Sequence, residues 1–374
     1  MLFTNAKIFT PQGFLCGALR VEDGRFAELL PGAQPSGGTD LGGAAVIPGL
    51  VDIHTHGASG VDFSDGDAAK LREMARFLAL HGVASFAPTT MSLPYPELST
   101  ALKTAAALQR EAPAGCARVL GVHLEGPFLS AEKKGAQNAA YMRAPDLAEF
   151  EALQADCGGI IRLAGLSPEL PGAAEFAAAA SRDCTVAAAH TAADYDCAAA
   201  FFEAGARHVT HLFNAMPPLL HRAPGVIGAA AEREDVTAEL ICDGAHVHPG
   251  AVRAAFRLFP ERICLISDAV RCCGMPEGEY TLGGQRVYLR GGTVRLADGT
   301  IAGSAATLFD CLRNAIAFGI PEEAAIRAAT ATPAAVLRCA DCAGAIVPGR
   351  SADFLVCGPD WELRAVYLGG ERIR

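Results

Sequence analysis

Between residues 46 and 270 the chain repeats one pattern: a short apolar run, a polar break, and then an Ala-, Leu- and Glu-rich segment of helical length. Short apolar runs bounded by turn residues predict buried strands, and their alternation with longer helical segments predicts βα units. There are eight such runs, at residues 46–54, 83–89, 118–124, 160–166, 185–189, 208–212, 237–242 and 263–267.

Helical segments follow several of these runs, most clearly at residues 67–81, 97–111, 145–155 and 195–204. Eight strands that are mostly followed by helices match an α/β fold of the TIM-like type, a closed (β/α)8 barrel. The sixth linker, residues 217–233, is Pro-rich and the least helical. An open doubly wound sheet is the alternative, but it would carry a G-x-G-x-x-G fingerprint after its first strand, and this sequence lacks one there.

The two ends of the chain have a different pattern. Residues 1–45 and 344–374 consist of short strand-like pieces divided by Gly and Pro. Such pieces predict one small β-sandwich-like domain assembled from both termini. The barrel domain is then expected to span residues 46–343.

Composition and charge narrow the possible partners. The chain has 374 residues, 51% hydrophobic and 19% charged, with a formal charge of -10 and no Lys/Arg-rich run. This acidic balance argues against nucleic acid or an anionic membrane surface as a partner. The start of the chain lacks the pattern of a secretion signal, and no apolar stretch is long enough for a membrane span, so we expect a cytoplasmic protein.

The 13 cysteines are scattered and odd in number in a chain large enough to fold without disulfides. We therefore expect reduced, mostly buried thiols. Cys339 and Cys342 form a CxxC, but a second pair or a nearby His that would complete a zinc site is missing from the sequence around them.

The first apolar run ends in Asp52-Ile53-His54-Thr55-His56. Side chains at positions i and i+2 of a strand point the same way, so both imidazoles can reach one metal ion. This motif alone fits an exposed turn equally well, because His is an ordinary polar residue as well as a common metal ligand.

Other metal-competent side chains also follow apolar runs. Glu125 ends the third, His190 the fifth, His211 the sixth and Asp268 the eighth. Each one alone could bond to backbone or cap a helix. Barrel enzymes, however, gather their working groups at the carboxyl ends of the strands, and a divalent cation would offset the cost of burying so many of them together.

The ordered motifs around these residues resemble the N-acetylglucosamine-6-phosphate deacetylases of the amidohydrolase superfamily. The motifs are Pro-Gly-Leu-Val-Asp-Ile-His-Thr-His-Gly at 48–57, His-Leu-Glu-Gly-Pro-Phe at 123–128, Thr-His-Leu-Phe-Asn-Ala-Met at 210–216, Asp-Gly-Ala-His-Val at 243–247, Ser-Asp-Ala at 267–269 and Ala-Gly-Ser at 302–304. The resemblance implies a metal-dependent amidohydrolase that releases acetate and glucosamine 6-phosphate.

The resemblance also implies a metal set. Glu125, His190 and His211 would hold one ion and leave a position open for water, and His54 and His56 would hold a second ion with Glu125 and Asp268. Asp268 would accept the proton of the water and then protonate the departing amine. One or two ions of Zn, Fe, Co or Mn all remain open, because this ligand set suits several metals.

The substrate site implied by the resemblance includes Asn214, Ala215, Arg222 and His246 around the phosphate. A homodimer is implied, with the phosphate site near the interface. Ala136 and Gln137 would also face the substrate, although relatives often have a histidine where this chain has Gln137.

Residues 270–274 likewise differ from the small residues usual in the family, so sugar preference is less defined than reaction type. Deacetylation of N-acetylgalactosamine 6-phosphate is the nearest alternative function. A non-catalytic barrel scaffold is the alternative of another class, and the presence of all six metal and proton-transfer side chains argues against it.

Overall fold

A computed structural model describes residues 1–33 and 35–374. The strands are β1 (Leu2–Thr10), β2 (Gly13–Glu22), β3 (Arg25–Pro31), β4 (Thr39–Asp40), β5 (Ala45–Pro48), β6 (Leu50–Thr55), β7 (Gly57–Ala58), β8 (Val61–Asp62), β9 (Val83–Pro88), β10 (Arg118–Val119), β11 (Val122–Glu125), β12 (Ile161–Leu166), β13 (Thr185–Ala188), β14 (His208–Val209), β15 (Thr237–Ile241), β16 (Ile263–Ile266), β17 (Gly278–Leu282), β18 (Gln285–Arg290), β19 (Thr293–Leu296), β20 (Ile301–Ser304), β21 (Phe354–Cys357), β22 (Leu363–Leu368) and β23 (Glu371–Arg372).

The helices are α1 (Ala68–Leu80), α2 (Tyr95–Glu111), α3 (Leu147–Cys157), α4 (Ala173–Ala180), α5 (Tyr195–Glu203), α6 (Gly225–Ala231), α7 (Pro249–Leu258), α8 (Leu308–Ala317), α9 (Glu322–Ala329) and α10 (Ala331–Val336). Within residues 1–33 and 35–374, helices long and apolar enough to cross a membrane are absent.

Parallel strands form the centre of this mixed α/β protein. Six of them, β11 to β16, lie side by side in chain order, and β10, β9 and β6 form a second parallel sheet. Two parallel bridges link the two sheets. One joins Thr89, just after β9, to His123 of β11, and the other joins Thr55 of β6 to Ala269, just after β16. Every apolar run predicted as a strand contains at least one. The first run is divided between β5 and β6, and the third between β10 and β11.

Local sequence signals explain the flanking helices. Asp67 caps α1 by accepting from the backbone N–H groups of Ala69 and Lys70, at 2.9 and 3.1 Å. Leu71 and Leu78, two turns apart on one face of the helix, are buried. The Pro-rich linker at 217–233 contains only the short helix α6, as its composition indicated.

An apolar cluster fills the space between the parallel strands. It includes Val51, Leu163 and Ile241 from the strands, and Val336 and Leu337 from the end of α10. The Thr185 hydroxyl, at the start of β13, donates to the Val336 carbonyl at 2.6 Å. The turn after α10 therefore covers the amino ends of the strands and leaves their carboxyl ends for the site.

The two termini form one eight-stranded sheet in the order β23-β22-β21-β5-β1-β2-β3, with β4 paired to β1. Its apolar cluster contains the aromatic rings of Phe3, Phe354 and Tyr367, and the last two stack with centroids 4.4 Å apart. Strand β5 of this sheet is followed after one residue by β6, which carries His54.

A four-stranded antiparallel sheet, β17 to β20, was not predicted from the sequence. Two of its hairpins turn at Gly283-Gly284 and Gly291-Gly292, all with positive φ. Glycine pairs suit the two-residue hairpin turn that needs positive φ at both positions. The signal was present in the sequence, and the sheet lies beside the site.

Candidate metal centre

Six side chains from the carboxyl ends of the parallel strands meet in one buried cluster. They are His54, His56, Glu125, His190, His211 and Asp268, each at most 7% exposed. Groups able to hold a metal ion include Glu125 with His190 and His211, and His54 with His56 and Asp268. The structure brings together all of the side chains that the sequence pattern selected for metal binding and proton transfer.

The ligand atoms of the first group, Glu125 with His190 and His211, lie close together. Glu125 Oε1 lies 3.2 Å from His190 Nε2 and 3.1 Å from His211 Nε2, and the two Nε2 atoms are 3.2 Å apart. Tetrahedral zinc with bonds of about 2.0–2.1 Å would place its ligand atoms roughly 3.3 Å apart. The three atoms therefore have the spacing of three corners around one ion.

Hydrogen bonds behind the rings decide which nitrogens face the cluster. His190 Nδ1 lies 2.8 Å from the Lys133 carbonyl, and His211 Nδ1 lies 3.2 Å from the Asn214 carbonyl. A carbonyl oxygen only accepts, so each Nδ1 is the donor, and each Nε2 is the nitrogen that faces Glu125 as a possible metal ligand. Three electron-pair donors at such distances repel one another unless a cation lies between them, so the first group fits a metal.

The second group has the same arrangement. His56 Nε2 lies 3.3 Å from His54 Nε2 and 3.4 Å from Asp268 Oδ1. Behind the rings, His56 Nδ1 faces the Thr89 carbonyl at 3.2 Å. Glu125 lies between the two groups, because its Oε2 is 3.2 Å from His56 Nε2 while its Oε1 belongs to the first group.

The electrostatics of the cluster favour a cation. Burial lowers the pKa of His56, but hydrogen bonding to Asp268 and Glu125 outweighs it and raises the pKa to about 9. Burial raises the pKa of Glu125, but the surrounding imidazoles, His54 first, hold that pKa well below its usual range. A site that attracts protons this strongly also attracts a divalent cation, which competes for the same lone pairs.

The backbone is bent sharply where the strands end. His190, His211 and Asp268 have φ of 44°, 29° and 45°, in the left-handed region that side chains other than glycine rarely adopt. Such conformations cost about 1–3 kcal/mol each and cluster at functional sites. Gly303, with φ of 66°, lies against this bend, and an added Cβ would come within 3.0 Å of the Asp268 carbonyl oxygen.

Sequence reasoning missed two buried acids that support the cluster. Asp52 accepts from the Ser267 hydroxyl at 2.6 Å, and burial raises its pKa to about 6. Glu239 lies 2.8 Å from His54 Nδ1. The available signal was a carboxylate inside an apolar run, which is unusual unless it is paired.

A cavity of about 430 Å³ opens directly above the cluster. Its walls contain most of the residues expected to face a substrate, namely Ala136, Gln137, Asn214, Ala215 and His246. Arg222 is exposed on the loop before α6 and is not among the residues that line the cavity. The four-stranded sheet adds a wall that was not foreseen, including Leu282 and Ile301.

Gln137 is buried and held at both ends of its amide. The Ser92 backbone N–H donates to Gln137 Oε1 at 2.7 Å, and Gln137 Nε2 donates to Glu125 Oε2 at 2.8 Å. The backbone donor fixes which end of the amide is oxygen, so the N–H must face Glu125. Gln137 therefore supports the shared carboxylate as well as lining the cavity.

His246 is paired with Asp243, whose Oδ2 lies 2.8 Å from His246 Nδ1. Burial lowers the pKa of His246, but this carboxylate outweighs it, so the pKa lies above its ordinary value. An imidazole with a raised pKa that lines the cavity is suited to an anionic group of a ligand.

Comparison with known proteins agrees with this geometry. Residues 45–373 match the sequence profile of the family described as Amidohydrolase family. The N-acetylgalactosamine-6-phosphate deacetylase of Escherichia coli O157:H7 is 34% identical over 369 residues, covering 98% of this chain and 97% of that protein. The N-acetylglucosamine-6-phosphate deacetylase of Bos taurus is 36% identical over 391 residues, covering 99% and 95%.

A solved structure is similar over the whole chain. It is a mutant of N-acetyl-D-glucosamine-6-phosphate deacetylase from Mycobacterium smegmatis in complex with N-acetyl-D-glucosamine-6-phosphate. It superimposes with a TM-score of 0.93 and 34% identity, covering 100% of this chain and 99% of that one. The family expected from the motifs is confirmed: the chain is a hydrolase of the amidohydrolase family and belongs to its N-acetylglucosamine-6-phosphate deacetylases.

Proposed function

We propose that this enzyme hydrolyses the acetamide of N-acetylglucosamine 6-phosphate to glucosamine 6-phosphate and acetate. The observation that carries the proposal is the buried set of Glu125, His190 and His211, whose ligand atoms face one another at 3.1–3.2 Å beneath a cavity. Relatives of this chain carry that activity in their names, and one of them was solved with this sugar phosphate.

Glu125, His190 and His211 would hold one divalent cation, and His54 and His56 with Glu125 and Asp268 a second. When bound, such a cation activates water and polarises the acetamide carbonyl. Carboxylate and imidazole ligands suit Zn, Fe, Co and Mn.

Asp268 is the proposed proton carrier. It lines the cavity, and its Oδ1 lies 3.4 Å from His56 Nε2 at the edge of the cluster. Burial raises the pKa of Asp268, but His54 and His56 outweigh it and hold the pKa below its ordinary value, so the carboxylate begins ionised. It can accept the proton of the attacking water and then return it to the amine, which leaves poorly without one.

The phosphate would bind beside Asn214, Ala215 and His246, with Ala136 and Gln137 along the sugar. Arg222 would complete the phosphate site from the neighbouring subunit of a homodimer. Its own chain leaves it exposed, next to Leu219 and Leu220, which are 44% and 52% exposed. A planar guanidinium matches phosphate geometry, and exposed leucines suit a protein interface.

We also propose that the two parallel sheets close into one (β/α)8 barrel at residues 46–343. The parallel bridges at Thr89–His123 and Thr55–Ala269 support this closure. Residues 1–45 and 344–374 would form the second, smaller domain, a division supported by their shared sheet. A cytoplasmic location stays a prediction.

A substrate panel tests the proposed activity. Purified enzyme should release acetate from N-acetylglucosamine 6-phosphate with a kcat/KM well above that for unphosphorylated N-acetylglucosamine. Faster turnover of N-acetylgalactosamine 6-phosphate would favour the activity named for the Escherichia coli relative. Absence of acetate release from both phosphorylated sugars would refute the proposal.

A further inference from the structure

Glu239 is a carboxylate in the middle of β15, and its side chain is fully buried. A charge in this position is costly unless its oxygens are hydrogen-bonded. Its neighbours in the strand, Ala238, Leu240 and Ile241, are apolar and buried, so packing alone does not explain an acid here. Glu239 also lies outside the cavity lining, so direct contact with substrate does not explain it either.

The two carboxylate oxygens of Glu239 have three hydrogen-bonding partners in and around the metal centre. Oε2 lies 2.8 Å from His54 Nδ1 and accepts from the His211 backbone N–H at 3.0 Å. Oε1 lies 3.2 Å from His208 Nε2. One acid therefore joins the histidine of β6 to the strand end that carries His211.

The contact with His54 sets the state of that ring. Oε2 of Glu239 already accepts from the His211 backbone N–H at 3.0 Å, so this oxygen also meets His54 Nδ1 as an acceptor. An acceptor oxygen needs a donor opposite it, so His54 Nδ1 carries the proton of this hydrogen bond. His54 Nε2 is then the nitrogen that faces the second group, 3.3 Å from His56 Nε2.

We propose that Glu239 is a positioning residue that fixes the tautomer and orientation of His54 through the 2.8 Å contact with Nδ1, so that binding of a second divalent cation depends on it. A carboxylate behind a ligating histidine has this effect in metal sites generally. The catalytic importance of the second cation rests on the proposed function, whereas the number of bound ions can be measured without any substrate.

Two substitutions separate positioning from charge and packing. Glu239→Met keeps the side-chain length and removes both acceptors. Glu239→Gln can keep a carbonyl oxygen where Oε2 lies, so it still accepts from His54 Nδ1 and the His211 N–H. Cys264→Ala is the matched control, because Cys264 pairs with Glu239 across β15 and β16 and is equally buried.

The measurement is titration of metal-free protein with Co²⁺, followed by visible absorption and elemental analysis. Wild type and Cys264→Ala should each bind two Co²⁺ per chain. In Glu239→Met the second Co²⁺ should bind about 10–100-fold more weakly, with a smaller change at the first. Glu239→Gln should hold the second ion at least about tenfold more tightly than Glu239→Met.

A single Co²⁺ in saturated wild type, or two normal affinities in Glu239→Met, would overturn the inference. Equal losses in the Gln and Met variants would assign the effect to charge and overturn the positioning role. If Glu239→Met does not fold, ¹⁵N spectra of histidine-labelled wild type, assigned with His54→Gln, decide the question. The inference requires the proton of His54 on Nδ1, and a proton on Nε2 would contradict it.

Activity distinguishes this inference from the proposed function. Wild type that binds two Co²⁺ but releases no acetate from N-acetylglucosamine 6-phosphate would refute the function and leave the role of Glu239 intact. Active wild type, together with a Glu239→Met variant that binds both Co²⁺ ions normally, would support the function and refute the role of Glu239.

Discussion

The floor of the site and its rim are built in different ways. The floor consists of strand-end side chains that are buried and held from behind, as His190 is by the Lys133 carbonyl and His54 by Glu239. The rim consists of loops and the four-stranded sheet, and Arg222 lies exposed on it. The proposed reaction type therefore rests on the interlocked side chains of the floor, whereas the proposed sugar and phosphate preference rests on the rim, where Arg222 is exposed.

Loss of a floor ligand should have the largest effect. His211→Ala removes one of the three ligand atoms of the first group, so the chain should lose the ion proposed for that group. Deacetylation should fall by about 10⁴-fold, because transition-state stabilisation by the metal is worth several kcal/mol. Elemental analysis and kcat/KM check this. His81→Ala, at the end of α1, is the matched histidine control and should keep metal and activity.

Asp268→Asn should have the next largest effect. The variant keeps the first group of ligands but cannot accept a proton, so kcat should fall by about 10²–10⁴-fold, the usual range for a general acid–base group. The ion bound by Glu125, His190 and His211 should remain in elemental analysis. Near-normal turnover would remove Asp268 from the proposed proton transfer.

On the rim, Arg222→Ala should raise KM for the phosphorylated sugar by about 10–100-fold with little change in kcat, because a charge-assisted hydrogen bond is lost. Unphosphorylated N-acetylglucosamine should be unaffected. An unchanged KM would refute the assignment to phosphate.

Mixing Arg222→Ala with Asp268→Asn tests whether Arg222 acts across a dimer. A mixed dimer then contains one site with both residues intact, so activity at low substrate should rise above that of either variant alone. No recovery, with mixed dimers demonstrated, would place Arg222 in its own subunit's site or outside both.

The smallest expected effect is on pH dependence. Asp243 raises the pKa of His246, so the imidazolium is present below that raised pKa and is lost as pH rises through it. In Asp243→Asn this loss should occur at lower pH, so at a pH just above the ordinary imidazole pKa of about 6.5, KM for the phosphorylated sugar should rise about three- to tenfold. An unshifted KM profile would remove His246 from phosphate binding.

The same contrast explains how much the sequence could predict. His190, His211 and Asp268 could be located from the sequence. The apolar runs mark the strands by a local pattern, and a general rule places the working groups of barrel enzymes at the carboxyl ends of those strands. The resemblance supplied their roles. The positions of the side chains that form the floor were therefore predictable from the sequence.

Other parts depend on tertiary contacts that a linear pattern does not contain. Glu239 lies within a predicted strand, but strand parity does not tell which face points toward His54. The sheet of β17 to β20 has many exposed residues, so its apolar signal is weak, although its Gly-Gly turns could have indicated hairpins. The exposed position of Arg222 depends on how the loop before α6 folds.

Metal removal and reconstitution tests the central claim most directly. The enzyme should lose deacetylation of N-acetylglucosamine 6-phosphate when a chelator strips its metal, and should regain it on addition of Zn²⁺, Fe²⁺, Co²⁺ or Mn²⁺. Elemental analysis should find at least one ion per active chain. Full activity in protein verified to be metal-free, or bound metal that restores no acetate release, would contradict the account.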